Sequence, residues 1–111
     1  MTNSYLRFLR LADALTKSSD KPLDSLSKDI LEHICTGILL KNAQFTVKDI
    51  LCLSSLGSQA TLHKRLHSLV DDGYLKLKQM EDGRVKRIEP TNQAKKYFAD
   101  LSKALEKASK A

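Results

Sequence analysis

Residues 58–90 read SQATLHKRLHSLVDDGYLKLKQMEDGRVKRIEP, and the order of elements in this stretch is the most informative feature of the chain. Its first half places apolar side chains at helical spacing, at Leu62, Leu66, Leu69 and Val70. Ser58 precedes this pattern as a candidate N-cap, and Gly73 follows it as a stop. The pattern predicts an amphipathic helix over residues 58–72.

A basic hairpin is predicted directly after this helix. Residues 74–80 alternate apolar and polar side chains, and residues 85–89 return after Asp82-Gly83. Asp-Gly is typical of a two-residue type I′ turn, which needs positive φ at both positions. With this turn, Leu77 pairs with Ile88 on the inner face and Lys78 with Arg87 on the outer face. Two opposed cations repel, and an anion lying on that face would relieve the repulsion.

Three helices are predicted before this stretch, two of them near the start of the chain, and one is predicted after it. The first is expected from about Ser4 to Thr16, and the second from residues 24–27 to about Leu40. The last is expected to begin at a Thr91 or Asn92 cap and to end near Lys107.

A further helix is predicted between residues 46 and 57. Thr46 with Asp49 resembles a capping box, and Gly57 is the expected C-terminal stop. The connector before it, residues 42–45, could include a residue or two of strand. With only a residue or two around Gly57 between this helix and the next, the spacing is that of a helix-turn-helix.

The composition indicates a folded basic protein. About 41% of residues are apolar and 29% are charged, and the net charge is +6 with a pI of about 9.4. The charge favours a polyanionic partner, although a merely basic protein would carry it too. No apolar run reaches the roughly 18 residues that a membrane span needs. Arg7 and Arg10 interrupt the apolar N-terminus, so we expect no signal peptide, no membrane partner and a cytoplasmic location.

Little in the sequence indicates catalysis or metal chemistry. Cys35 and Cys52 lie in apolar helical patterns and are expected to be reduced packing residues. His63 and His67 have a spacing that can hold a metal, but no third ligand is evident. No nucleophile–base group, phosphate-binding glycine loop or carboxylate pair stands out. We therefore expect no enzyme, no metal and no cofactor.

The side of the 58–72 helix opposite its leucines carries hydrogen-bonding and cationic groups. Ser58 is the cap, Gln59, His63 and Arg65 lie at the margins, and the face itself presents Ala60, Thr61, Lys64, His67 and Ser68. Such a face can contact base edges and phosphates in the DNA major groove. The hairpin adds Lys76, Lys78, Arg84, Lys86 and Arg87, of which Arg84 is placed for the minor groove and the others for phosphates. The alternatives are an ordinary solvated helix face and a charged edge hairpin that resists aggregation.

The last helix carries one continuous apolar stripe, whereas the first helix carries apolar residues on more than one side. A helix of this kind buries one side in its own domain and the other against a partner, or is wrapped deeply into its own domain. The candidate dimerisation residues are Tyr5, Leu6, Phe8, Leu9, Ala12, Tyr97, Phe98, Leu101 and Leu105.

A family resemblance rests on motifs in a fixed order. These are Thr46 and Ile50, then Ser58-Gln59-Ala60-Thr61-Leu62-His63-Lys64, then Leu69, Gly73, Tyr74 and Leu75, then Asp82 and Arg84, then Pro90-Thr91-Asn92. In this order the chain resembles, over about residues 45–98, the MarR family of winged-helix transcription regulators. It departs from the family's pattern at His63, at Lys64 and at Glu89-Pro90, and it has one C-terminal helix rather than two.

The predicted fold is mainly α with a small β-hairpin wing, in one domain over residues 1–111. The resemblance implies a winged helix-turn-helix over residues 45–90, flanked by dimerisation helices within residues 1–22 and 91–111.

The predicted function is a homodimeric, sequence-specific transcriptional regulator of double-stranded DNA, acting as a repressor. Residues 58–72 would lie in the major groove, and the wing, residues 74–90, on the minor groove or backbone. A small-molecule effector is left open. The alternatives are a winged helix used for protein–protein contact and a phage- or plasmid-type replication protein that binds DNA.

Overall fold

The computed structural model describes residues 3–18, 21–81, 83 and 85–110, and over these the protein is mainly helical with a small three-stranded antiparallel sheet. In chain order the elements are α1 (Ser4–Ser18), α2 (Ser25–Lys41), β1 (Phe45–Thr46), α3 (Val47–Leu51), α4 (Gln59–Asp71), β2 (Leu75–Gln79), β3 (Lys86–Pro90) and α5 (Asn92–Ser109). The predicted mainly helical class with a hairpin is therefore confirmed. Among the described helices, none has the length and apolar character needed to cross a lipid bilayer.

The chain divides into two compact units. The terminal unit comprises Met1–Pro22 and Lys95–Ala111, and the central unit comprises Leu23–Ala94. The boundary lies within α5, so this helix contributes its first turn to the central unit and the rest to the terminal unit. The expectation of a single domain stays a prediction.

Helix α2 forms the centre of the central unit. Asp24 caps its N-terminus by accepting a hydrogen bond from the Ser27 amide at 2.8 Å. Its apolar stripe, Ile30, Leu31 and Ile34, is fully buried. The helix ends at Lys41, and its C-cap Asn42 has a left-handed backbone (φ 55°) that turns the chain toward β1.

Helix α3 is shorter than predicted. The capping box at its start is confirmed, because Thr46 Oγ1 accepts from the Asp49 amide and Asp49 Oδ2 accepts from the Thr46 amide. The helix ends at Leu51 rather than at Gly57, however, and residues 52–58 form the connector to α4.

The predicted one- or two-residue spacing of a helix-turn-helix was therefore wrong. After Leu51 the backbone bonds tighten to three-residue turns, with the Leu53 amide donating to the Ile50 carbonyl. Ser54 and Ser55 follow, and serine side chains compete for backbone hydrogen bonds and so disfavour a helix interior.

The sheet has the order β1-β3-β2. The predicted hairpin register is confirmed, because Leu77 is opposite Ile88 and Lys78 is opposite Arg87. Strand β1 adds to the other edge of β3, with Phe45 opposite Ile88. Ile88 therefore lies on the central strand and is fully buried.

The tip of the hairpin is described only in part. The Gly83 amide donates to the Met80 carbonyl at 2.9 Å, and Gly83 has a φ of +72°, as a glycine in a tight turn should. Asp82 and Arg84 lie outside the described residues. The predicted positive φ at Asp82 and the placement of Arg84 at the tip therefore stay predictions.

Thr91 fixes the junction between the sheet and α5. Its Oγ1 accepts from the Ala94 amide at 3.2 Å, so Thr91 rather than Asn92 caps the helix. The same hydroxyl lies within hydrogen-bonding distance of the Gly73 and Tyr74 carbonyls. These bonds tie the start of α5 to the segment that connects α4 with β2.

Candidate nucleic-acid interface

Helix α4 separates a buried face from an exposed one. Leu62, Leu66 and Leu69 are at most 1% exposed and pack into the central unit. The opposite face is exposed and contains Ala60, Thr61, Lys64 and His67, with Gln59 and His63 exposed at its margins and an exposed Ser58 before it. This distribution leaves the predicted recognition residues facing solvent.

The N-terminus of α4 keeps free hydrogen-bond donors. Ser58 Oγ accepts from the Thr61 amide at 3.3 Å and donates to Thr61 Oγ1 at 3.0 Å. The amides of Gln59 and Ala60 have no partner among the residues that the structure describes. Free amides at a helix N-terminus, together with the helix dipole, favour an anion there.

Two predicted contact residues differ in how available they are. Lys64 is exposed, and its ammonium group pairs with no described residue. Ser68 is half-buried, and its hydroxyl donates to the Lys64 carbonyl at 3.1 Å, back onto the helix. Lys64 is therefore free to meet a ligand, whereas Ser68 is already used by the helix backbone.

Arg65 is held by α2 rather than presented to solvent. Its guanidinium forms an ion pair with Asp24 Oδ2 at 3.0 Å, and both side chains are only partly exposed. Its Nε is buried and has no hydrogen-bond partner among the described residues. Arg65 therefore positions α4 against the start of α2.

Asp24 thus serves two elements, and removing it should lower stability. Because the Ser27 amide and the Arg65 charge both favour the carboxylate, the pKa of Asp24 lies below its ordinary value. We expect Asp24→Ala to lower the free energy of unfolding by about 1–2 kcal/mol at pH 7, mostly through the lost cap. Urea unfolding measures this difference.

The pH dependence of this effect has a defined sign. A lowered folded-state pKa stabilises the protein above the unfolded-state value of about 3.9, and the contribution is lost as the pH falls through the folded-state value. The difference in the free energy of unfolding between wild type and Asp24→Ala should therefore become smaller below about pH 4. Asp24→Asn keeps a capping side chain and is the matched control. An Asn variant as unstable as the Ala variant would contradict the role given to the cap.

The outer face of the hairpin collects three cations and one carboxylate. Lys76 and Lys78 of β2 lie opposite Glu89 and Arg87 of β3. Glu89 accepts from Arg87 at 2.9 Å and lies 3.8 Å from the Lys76 ammonium. The hydrogen bond from Arg87, with the positive charges of Arg87, Lys78 and Lys76, holds the pKa of Glu89 below its usual value.

The Glu89 carboxylate therefore offsets part of the repulsion between Lys78 and Arg87, which lie opposite each other. Lys78 keeps an exposed ammonium that pairs with no described residue. Lys86 pairs with Gln79, and the strand alternation places it on the other face from Arg87. Of the five predicted hairpin cations, Lys76, Lys78 and Arg87 lie on one face and Lys86 lies on the other. Arg84 is outside the described residues.

The terminal unit exposes apolar side chains. Tyr5, Leu6, Leu9 and Leu105 are 40–65% exposed, whereas Phe8, Tyr97, Phe98 and Leu101 are half-buried. Ala12 is buried, unlike the other predicted dimerisation residues, and its role in dimerisation stays a prediction. The remaining exposed residues form the candidate dimer surface: Tyr5, Leu6, Leu9 and Leu105.

The two cysteines occupy different environments. Cys35 is buried, as predicted, but Cys52 is exposed at the end of α3, so the prediction that Cys52 is a packing residue was wrong. The premature end of α3 places Cys52 on the connector side of the helix. Within the described ranges, no group of three or more histidine, cysteine or acidic side chains is arranged to hold a metal.

Two residues that shape this surface, Asp24 and Glu89, do not stand out in the sequence. Residue 24 marks only a possible start of α2 there, and Glu89 only a departure from the family pattern. Arg65, the partner of Asp24, is distant in sequence, and Lys76 becomes a neighbour of Glu89 only once the register is known. The Lys76–Glu89 pairing follows from the predicted register and could have been found, whereas the Asp24–Arg65 pairing could not.

Comparison of the chain with protein-family models, with curated proteins and with solved structures finds no match. The resemblance to the MarR family therefore rests on the motifs quoted above.

Proposed function

We propose that this protein is a homodimeric winged-helix regulator that binds double-stranded DNA in a sequence-specific manner and represses transcription. The observation that carries the proposal is the exposed face of α4, which presents free hydrogen-bonding and cationic groups beside a hairpin with a net positive outer face. Residues 58–72 enter the major groove, and residues 74–90 lie along the backbone and minor groove.

The α4 face suits base recognition. Gln59 is exposed near the helix N-terminus, where an amide side chain can bond both N6 and N7 of adenine. Lys64 lies five residues later and has an exposed ammonium for guanine acceptors or a phosphate. Thr61 is exposed beside them, although its hydroxyl also accepts from Ser58. Its methyl group can meet a thymine methyl.

Phosphate contacts come from groups that carry no sequence information. The free amides at the start of α4 can hold one phosphate, and Lys78 can hold another. Arg87 hydrogen-bonds Glu89 and Lys76 lies 3.8 Å from it, whereas Lys78 makes neither contact and acts on Glu89 only through its charge. Lys78 is therefore the hairpin cation on which affinity should depend most among the described residues.

Dimerisation follows from the exposed apolar residues of the terminal unit. A second copy that covers Tyr5, Leu6, Leu9 and Leu105 would bury them and would join two copies of α4 in one assembly. Dimeric readers of this kind recognise roughly palindromic sites with half-sites about 10 base pairs apart. The proposal therefore includes both the fold of the DNA-binding part and a twofold assembly.

The deciding experiment is selection from random duplexes followed by binding across about 50–200 mM salt. A palindromic motif with a preference that survives at the higher salt supports the proposal. If affinity falls steeply as the salt concentration rises and no motif is selected, the proposal is overturned, because charge alone then explains binding. In that case the exposed apolar face would favour the protein–protein alternative, with a different protein co-purifying.

A pair of variants separates base recognition from phosphate contact. Gln59→Ala should cost about 1–3 kcal/mol of discrimination at one base position, with little change in binding to random DNA. Lys78→Ala should weaken all duplexes alike and reduce the salt slope by about 1. Fluorescence anisotropy titrations at several salt concentrations measure both quantities.

The matched control is Lys103→Ala, which removes an exposed lysine of the terminal unit. It should leave both discrimination and the salt slope nearly unchanged. If Lys103→Ala and Lys78→Ala had equal effects, binding would reflect the net charge of the protein, and the hairpin would lose its assigned role.

A further inference from the structure

Two histidines on the exposed face of α4 have their ring nitrogens close together. His63 and His67 are one helical turn apart and both exposed, with ring centroids 4.3 Å apart and rings tilted by 54°. Their Nε2 atoms are 3.1 Å apart, so one ring donates a hydrogen bond to the other. The predicted function uses His63 only as a margin of the recognition face and does not use this pairing.

The spacing of the two nitrogens matches that of two ligands on one metal ion. Imidazole nitrogens bind zinc at about 2.0–2.1 Å, and similar distances hold for related divalent ions. Two nitrogens 3.1 Å apart then subtend roughly 100° at the ion, between the octahedral and tetrahedral angles. The ion would take the place of the proton on Nε2 of the donor ring, which moves through solvent to Nδ1 of the same ring. The ion would lie roughly 1.3 Å off the line that joins the nitrogens.

We propose that His63 and His67 form a binding site for a divalent transition-metal ion. Imidazole suits zinc, nickel, cobalt and copper, and affinity should rise along the series to copper. No third side chain completes the site among the described residues, so water fills the other positions and the ion exchanges readily. The site is therefore a two-ligand clip on an exposed helix face rather than a structural metal centre.

The location of the clip gives it a role in binding nucleic acid, a step that rests on the proposed function. Lys64 lies between the two histidines in sequence and faces solvent on the same exposed side of α4. A bound dication adds two positive charges there and keeps open positions for an oxygen or nitrogen donor of the duplex. The metal should therefore strengthen duplex binding in addition to binding the protein alone.

Metal binding is tested first without DNA. The untagged chain carrying Cys52→Ser, which removes the exposed thiol as a competing ligand, is unfolded thermally over a series of NiCl₂ concentrations. An ion that binds only the folded state raises the midpoint as its concentration exceeds Kd. We expect such a rise, reversed by a chelator.

Single-histidine variants assign the site. His63→Asn and His67→Asn should each weaken nickel binding by at least about tenfold, which corresponds to 1.4 kcal/mol. His33→Asn is the matched control, because His33 is also exposed but contacts Phe45 rather than another histidine. No midpoint shift in the parent chain, or an equal shift in all three variants, would overturn the metal site.

Duplex binding forms a separate arm. Nickel should raise the affinity of the parent chain for duplex DNA and leave that of His67→Asn unchanged. Metal binding without any effect on DNA would overturn the role in recognition and leave the clip intact. If the protein binds nickel as expected but binds no DNA under any condition, the result counts against the proposed function and not against the metal site. The two failures are therefore distinguishable.

Discussion

Replacing Leu66 by alanine is expected to lower the free energy of unfolding by about 2–5 kcal/mol. Leu66 is 1% exposed and lies at the middle of α4, between the buried Leu62 and Leu69. The change removes buried methyl groups and leaves a cavity that the packed α2 and α4 helices can close only in part. Urea unfolding followed by far-ultraviolet circular dichroism measures the loss.

Leu40→Ala is the matched control for this change. It deletes the same atoms from a side chain that is 78% exposed at the end of α2. Its effect should lie within about 0.5 kcal/mol, the usual range for exposed positions. Equal losses in the two variants would mean that α4 does not pack into the core as described, and the exposed recognition face would lose its structural basis.

The same periodicity explains why α4 could be predicted from the sequence. Leucines at helical spacing fix which side of the helix is buried, and Ser58 and Gly73 fix its ends. The hairpin register was equally accessible, because the alternation of Leu77 and Ile88 with charged neighbours leaves one register that buries the apolar side. Local patterns of this kind depend on residues close in the chain.

Features that depend on residues distant in the chain could not be predicted from local sequence patterns. The two residues of β1 carry no alternation long enough to identify a strand, and their pairing with β3 comes from the fold. The end of α3 was missed because the leucines after Leu51 continue a helical pattern while the backbone forms turns. Apolar spacing cannot distinguish a helix from a packed turn of the same length.

The sequence predicted which side chains lie on the candidate site, but not which of them are free to contact a ligand. From the sequence, Arg65 and Lys64 are equivalent cations on one helix. In the structure Arg65 is paired with Asp24, whereas Lys64 is free among the described residues. A cation's net contribution to binding depends on its existing partners, and those partners become known only when distant segments are brought together.

The exposed apolar face of the terminal unit leads to the prediction with the largest effect on binding. Leu6→Asp combined with Leu105→Asp places two carboxylates on the candidate dimer surface, where burial of a charge is costly. We expect a monomer at micromolar concentration by analytical ultracentrifugation. Because dimerisation makes the second half-site contact intramolecular, affinity for a full palindrome should fall about 10²–10⁴-fold.

The readouts for this variant distinguish lost assembly from lost DNA recognition. Affinity for a single half-site should stay nearly unchanged, since the α4 face and the hairpin belong to the central unit. Leu39→Asp with Leu40→Asp is the control, because it makes the same change in net charge at two exposed leucines of α2. Equal losses in the two double variants would assign the effect to charge alone. A wild-type protein that is already monomeric would remove the dimer from the proposal, while base discrimination by Gln59 would remain the test of whether α4 recognises a DNA sequence.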